Sequence, residues 1–290
     1  MSSHPAVHSF HHAASGTWTH VVADPASGRT AIIDPVLDFD VASGRVGTQP
    51  ANELLAHLGE LGLEAALILE THAHADHLSA GAWLRDRLGV PLAIGAGIVD
   101  VQRTFKRLLA LGDDFPTDGR SFDRLLRDGD SIDVGALRIH VVATPGHTPD
   151  SVAYLAGDAA FVGDTLFAPG AGTARCDFPG GSAATLYRSI RRLYELPDET
   201  RVFLCHDYPA AGAEATAMAR IGEEKRSNSQ LRADTTEADY VVVRERRDAT
   251  LAVPKLLWPA IQFNIRGGRL PPADTLGRRH FRLPVFLDAD

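Results

Sequence analysis

The sequence predicts a layered α/β fold, and three patterns lead there. Short apolar strands alternate with amphipathic helices in the first part of the chain. Beyond Gly112 the chain turns to closely spaced strands joined by glycine turns. Four apolar strands end in His or Asp, so one end of the strands carries the candidate chemistry.

Thr17 to Ala23 and Thr30 to Ile33 read as a hairpin across Asp24-Pro25-Ala26-Ser27-Gly28-Arg29, whose Pro, Ser and Gly are turn formers. The residues before it, Met1 to His12, carry His4, His8, His11 and His12 and read as a solvated terminus. Asp34-Pro35 ends the second strand, with Asp34 either capping the turn, the reading preferred, or supporting the ligand loop from behind, and Val36 to Thr48 has no clear period and reads as a surface excursion. From Pro50 to Leu61, Leu54, Leu55, Leu58 and Leu61 recur at helical spacing, with His57 on the solvated face. Strand Ala65 to Leu69 leads into Thr71-His72-Ala73-His74-Ala75-Asp76-His77. A helix to Leu88 and a strand Pro91 to Ile94 complete the alternation, and Ile98, Val101, Phe105, Leu108 and Leu109 mark another helix.

Asp130 to Val134 and Leu137 to Ala143 pair around Gly135-Ala136. Leu137, Ile139 and Val141 share one face and His140 the other, which makes His140 a surface residue. The loop Pro145-Gly146-His147-Thr148 follows, then strands Ser151 to Leu155 and Ala159 to Val162, which end in Gly163-Asp164. A glycine-rich loop, Pro169 to Gly181, leads to Ser182 as N-cap of a helix carrying Leu186, Ile190 and Leu193. Strand Val202 to Leu204 ends in Cys205-His206-Asp207-Tyr208. Ala213 to Arg226 and Glu237 to Arg247 read as helices, the run Arg244-Glu245-Arg246-Arg247 as a solvated helix face. The reading therefore places one domain over residues 1–212 and a helical extension over residues 213–290 packed on it.

His72, His74, Asp76 and His77 at one strand-to-helix junction form the start of a metal site, and His147, Asp164 and His206 at other strand ends supply further ligands. Imidazole nitrogen and carboxylate oxygen suit zinc, iron, manganese or copper. The two cysteines, Cys176 and Cys205, form neither a disulfide framework nor a CxxC pair and read as thiols in a reducing compartment. With 29 basic and 37 acidic residues and net charge -8, the chain offers no electrostatic reason to bind nucleic acid or an anionic membrane. No signal peptide or spanning segment is legible, so a cytoplasmic protein is expected.

Taken together, His72-Ala73-His74-Ala75-Asp76-His77, Pro145-Gly146-His147-Thr148, Gly163-Asp164 and Cys205-His206 resemble the metallo-β-lactamase superfamily over about residues 15 to 210. The resemblance implies an αββα sandwich, with two mixed sheets face to face, helices outside and metal at one edge. Within the superfamily the chain is similar to the sulfur dioxygenases, also called glutathione persulfide dioxygenases, and to bacterial members described as β-lactamase hydrolase-like. The segments that carry this are Arg175-Cys176-Asp177-Phe178, His206-Asp207-Tyr208 and Ile221 to Asn228. It implies one Fe(II) per chain on His72, His147 and Asp164, with His74, Asp76, His77 and His206 orienting those ligands. Glutathione persulfide and O2 are the implied substrates, and a homodimer is compatible with the family. Arg175 and Arg226 are expected to pair with glutathione carboxylates and Tyr208 to hydrogen-bond its peptide.

The chain departs from compact members in the Val36 to Thr48 excursion and in Arg-Cys-Asp where many have Arg-Thr-Asp. The same seven positions also suit a dinuclear zinc hydrolase of the glyoxalase II type, which cleaves a glutathione thioester or related ester. Two Zn(II) per chain would then sit on His72, His74 and His147 and on Asp76, His77 and His206, with Asp164 bridging.

Overall fold

The computed structural model describes residues 4–208 and 213–285. Two six-stranded sheets form its centre. The first runs in the order Ala6–His12, Thr17–Ala23, Arg29–Ile33, Glu64–Leu69, Leu92–Gly95 and Arg124–Leu126; its first pairs are antiparallel and its last three parallel. The second runs Ser131–Val134, Leu137–Ala143, Val152–Ala156, Ala159–Phe161, Arg201–Phe203 and Met218–Arg220, with one parallel pair, Ala159–Phe161 beside Arg201–Phe203.

Strand periodicity explains why the sheets stack. Ala31 and Ile33, then Leu67 and Leu69, point from the first sheet into a core shared with Ile139, Val141, Tyr154 and Phe161 of the second. Their neighbours Ile32 and Ile68 point the other way, under the helices Gln49–Glu60, Gly81–Leu88 and Ile98–Leu108. On the far side Ala153, Ala160 and Val202 meet Leu186 and Ile190 of helix Ala183–Leu193 and Tyr240 of helix Glu237–Asp248. The order helix, sheet, sheet, helix is the αββα sandwich that the resemblance implied.

The C-terminal segment serves both outer layers. Ile221, Leu231 and Tyr240 pack on the second sheet's helical side, whereas Ala260, Ile261 and Phe263 of helix Leu257–Asn264 pack on the first sheet's side, beside the short strand Leu78–Ser79. Among the described residues, no helix is long and apolar enough to cross a membrane.

Five local expectations are corrected. The N-terminal histidines belong to an edge strand, Ala6–His12, paired antiparallel with Thr17–Ala23. Val7 and Phe10 anchor that strand on the two cores, and the polar imidazoles between them mask its alternation. His57 is consequently half-buried, its Nε2 3.3 Å from His8 Nδ1 and its ring edge-on to Phe10. Val36–Asp40 and Arg45–Gly47 form a ribbon that also pairs with Leu78–Ser79, closed by Asp40, whose Oδ1 accepts from the Ala42 and Ser43 amides at 2.8 and 3.1 Å. The helix expected from Ala213 is confined to Ile221–Ser227, because Met218–Arg220 is drawn into the second sheet as its edge strand. Finally, Arg244 is not on a solvated face: it is 2 % exposed.

Other local expectations hold. Ser182 caps its helix by accepting the Thr185 amide, and His140 stands exposed on its strand.

Candidate metal centre

The site lies where the two sheets present the ends of their strands. Glu64–Leu69 delivers the loop carrying His72, His74, Asp76 and His77; His147 follows Leu137–Ala143, Asp164 follows Ala159–Phe161 and His206 follows Arg201–Phe203. The four histidines His72, His74, His77 and His206 are nearly inaccessible, as is His147. Their ligand atoms form two groups, each within a 4.8 Å span: His72, His147 and Asp164 in one, His74, Asp76, His77 and His206 in the other. Asp164 lies between them. Its Oδ2 is 3.9 Å from His72 Nε2 and 3.6 Å from His147 Nε2, and its Oδ1 is 3.2 Å from His206 Nε2.

Hydrogen bonds on the far ring nitrogens turn the lone pairs inward. His147 Nδ1 donates to the Arg175 carbonyl at 2.7 Å. His72 Nδ1 lies 3.0 Å from Thr71 Oγ1, whose own hydroxyl donates to Asp34 Oδ2 at 2.8 Å. His74 Nε2 lies 3.1 Å from Asp34 Oδ1 and 3.4 Å from Glu70 Oε2, so its Nδ1 is the atom left for a ligand. Thr17 Oγ1 stands within 3.2 to 3.4 Å of Asp76 Oδ2, His77 Nδ1 and His206 Nδ1.

Four buried atoms at the centre have no hydrogen-bond partner: His74 Nδ1, His77 Nε2, His206 Nε2 and Asp164 Oδ1. Stranding that many polar atoms is costly unless something else satisfies them. A cation does so. Electrostatics agree: burial, with His74 and His147 nearby, holds His72 well below the usual imidazole range, and burial together with His74 lowers His77 to about 4. Burial opposes ionisation of Asp76, but His206 and His77 outweigh it and keep the carboxyl well below its usual range. Neutral imidazoles and an ionised carboxylate are the states that ligate a metal. His74 is pulled the other way, since Asp34 and Glu70 overcome its desolvation and raise it well above the usual range.

The loop is fastened from several directions. Asp34, buried and at φ 51°, accepts the Thr71 amide at 2.7 Å, so it supports the ligand loop instead of serving as the expected turn cap. Asp150 Oδ2 accepts the Ala73 amide at 2.8 Å. From the C-terminal segment, Asn264 Nδ2 donates to the His74 and His77 carbonyls, each at 2.8 Å, and its Oδ1 accepts the Ser79 amide at 2.9 Å. Asn264→Ala is expected to weaken metal binding by roughly 10- to 100-fold, the cost of losing groups that orient ligands. Competition against a chelator measures it, and unchanged retention would show that the loop holds itself.

Beside the ligands opens a cavity of about 500 Å³. Asp76, His147, Asp164 and His206 form its floor; Phe167, Phe178, Tyr208, Thr173 and three arginines, Arg175, Arg244 and Arg247, form its walls. Tyr208 is 69 % exposed and lies parallel to His206, with ring centroids 5.9 Å apart. Arg175 reaches the wall, but Asp177 takes its Nε and Nη2 at 2.6 Å each and the Ala252 carbonyl its Nη1 at 2.8 Å. Arg226 is not brought to the cavity: it is exposed beside Gly222 and Asp198, because its short helix turns that face outward. Both thiols are buried. Burial pushes Cys176 up to about 12 and Cys205 well above its ordinary range, so both are protonated at neutral pH.

Glu70, Thr17, Asn264 and Arg244 escaped the sequence reading as parts of the site, whereas support of the ligand loop was one of the two roles it offered for Asp34. Asp34 alone carried a local signal, since it ends an apolar strand as Asp164 does.

Comparison with known proteins agrees with this architecture. The family model described as Metallo-beta-lactamase superfamily matches residues 14–206. A "Probable metallo-hydrolase" of Burkholderia pseudomallei is 45 % identical over 96 % of this chain and 98 % of its own length. The human mitochondrial "Persulfide dioxygenase ETHE1" is 30 % identical over 89 % of this chain and 87 % of its own. Among solved structures, ETHE1 from Myxococcus xanthus superposes with a TM-score of 0.73 at 31 % identity, covering 91 % of this chain and all of that one.

Proposed function

The chain belongs to the metallo-beta-lactamase superfamily, and on that premise we propose that it is a persulfide dioxygenase with one Fe(II) per chain, oxidising glutathione persulfide with O2 and water to glutathione and sulfite. The observation that carries this reading is the grouping of ligand atoms. His72, His147 and Asp164 converge without His74, whose ligand atom falls with Asp76, His77 and His206. A dinuclear hydrolase would need His74 on the same ion as His72 and His147. Two imidazoles and one carboxylate on one face are instead the donor set of non-haem iron oxygenases. The likeness to the persulfide dioxygenase and to the Myxococcus structure supports the same choice.

His72, His147 and Asp164 would hold the iron, which would supply redox chemistry toward the persulfide sulfur and dioxygen. The protein's part is positioning. The Arg175 carbonyl and Thr71 keep the two imidazoles aimed inward, Asp164 places its carboxylate oxygens beside them, and Phe167 and Phe178 give the adjoining cavity apolar walls. Holding both reactants in one walled pocket makes their encounter effectively intramolecular.

The rival has its own support, because the group of His74, Asp76, His77 and His206 has four donors for a second ion, and a 45 % identical relative is named a metallo-hydrolase. Oxygen uptake separates the two. With glutathione persulfide the metal-loaded protein is expected to consume O2 and release sulfite in equal amounts. Hydrolysis of a glutathione thioester without oxygen uptake would favour the rival.

A further inference from the structure

We propose that Arg247 selects the substrate: its guanidinium receives a carboxylate of a glutathione-type thiol whose sulfur end faces His147 and Asp164. The ligand class rests on the reading above; the choice of residue rests on which cation in the cavity has donors to give.

Three arginines line the cavity, and two are spent on the protein. Arg175 is forked onto Asp177 and bonded to the Ala252 carbonyl. Arg244 directs Nε and Nη2 to Asp248 at 3.0 and 2.6 Å, and Nη1 to the Thr173 carbonyl and Gln230 Oε1 at 3.0 and 2.6 Å. Arg247 is exposed on the same helix, and among the described residues its guanidinium has neither an ion pair nor a hydrogen bond. The remaining charged groups on the wall are the carboxylates Asp76, Asp164 and Asp207. Of the three arginines only Arg247 has donors not taken by the protein among the described residues, so an anionic end that avoids these carboxylates is received there, which orients the ligand. Arg244 and Asp248 pin the helix that carries Arg247 against the glycine-rich loop, so the guanidinium is presented from a fixed base. The cavity volume, about 500 Å³, suits a small peptide. Leu251 and Pro254 line the same cavity and give it apolar surface.

The test is calorimetric titration of metal-loaded protein with glutathione and with its diethyl ester, which lacks carboxylate charge. Wild type is expected to bind glutathione about tenfold more tightly, the value of one charge-assisted contact at an accessible site. Arg247→Ala should bind both ligands alike at the ester's affinity, Arg247→Lys should keep part of the preference, and Arg226→Ala should keep all of it. A preference surviving in Arg247→Ala, or no preference in wild type, overturns the assignment. Binding is read without turnover, so the two proposals fail separately. Arg247-dependent glutathione binding without persulfide oxidation would defeat only the dioxygenase; persulfide oxidation with an unchanged KM in Arg247→Ala would defeat only the role of Arg247.

Discussion

Asp164→Ala is expected to strip the protein of its metal and to lower turnover by more than the roughly 10- to 100-fold that losing a ligand's hydrogen-bond partner costs. Asp164 faces both groups of donors, with one oxygen toward His72 and His147 and the other toward His206. Without it His72 and His147 are left as two imidazole donors with no carboxylate between them to hold a divalent cation. The fold should not suffer. Asp164 Oδ1 is a buried acceptor without a hydrogen-bond partner, so its removal relieves a cost in the metal-free protein. Elemental analysis and thermal unfolding with and without added metal read both halves: no bound metal, and a midpoint that metal no longer raises. Asp207→Ala is the control, since Asp207 lines the same cavity but joins neither donor group. A metal-replete Asp164→Ala protein would contradict the geometry.

Arg244→Met is expected to cost about 3–5 kcal/mol of stability, because it leaves Asp248 buried and unpaired. Asp248 Oδ2 also accepts the Cys176 amide at 2.8 Å, so the pair ties helix Glu237–Asp248 to the loop that orients His147. Arg244→Met combined with Asp248→Leu should recover part of the loss, since an apolar pair replaces a buried ion pair at little cost. Recovery is incomplete, because the Thr173 carbonyl and the Cys176 amide lose their partners. Urea unfolding measures both variants. A loss within about 0.5 kcal/mol would mean that Arg244 behaves as a surface residue.

The difference between what could and could not be read from the sequence follows from distance along the chain. Each donor follows its own strand, so His72, His147, Asp164 and His206 are marked by a local pattern of apolar run then polar ligand. Apolar runs likewise mark the strands, but Ile32 and Ile68 are as apolar as Ala31, Ile33, Leu67 and Leu69, so which face meets the second sheet is decided by the packing. What holds the ligands in place is not local. Asn264 bonds a loop far upstream, Thr17 meets His77 and His206 from the start of strand Thr17–Ala23, and Arg244 finds Thr173 from the C-terminal helices. No periodicity encodes such pairings. Arg244 illustrates the consequence: within a run of charges its spacing suggests solvent, yet burial is decided by a carboxylate four residues on and a carbonyl on another loop. Likewise Arg226 and Arg247 look alike in sequence, and only the turn of each helix shows which one reaches the cavity. The N-terminal strand was hidden for a chemical reason, because imidazole rings pack in a sheet edge although they count as polar.

The central claim is a single iron on His72, His147 and Asp164. Metal stoichiometry tests it most directly, by elemental analysis of protein purified without added metal and under exclusion of oxygen. One iron per chain, lost in Asp164→Ala, is the expected result. Two zinc ions per chain, with His74 required for the first, would contradict it and establish the hydrolase arrangement.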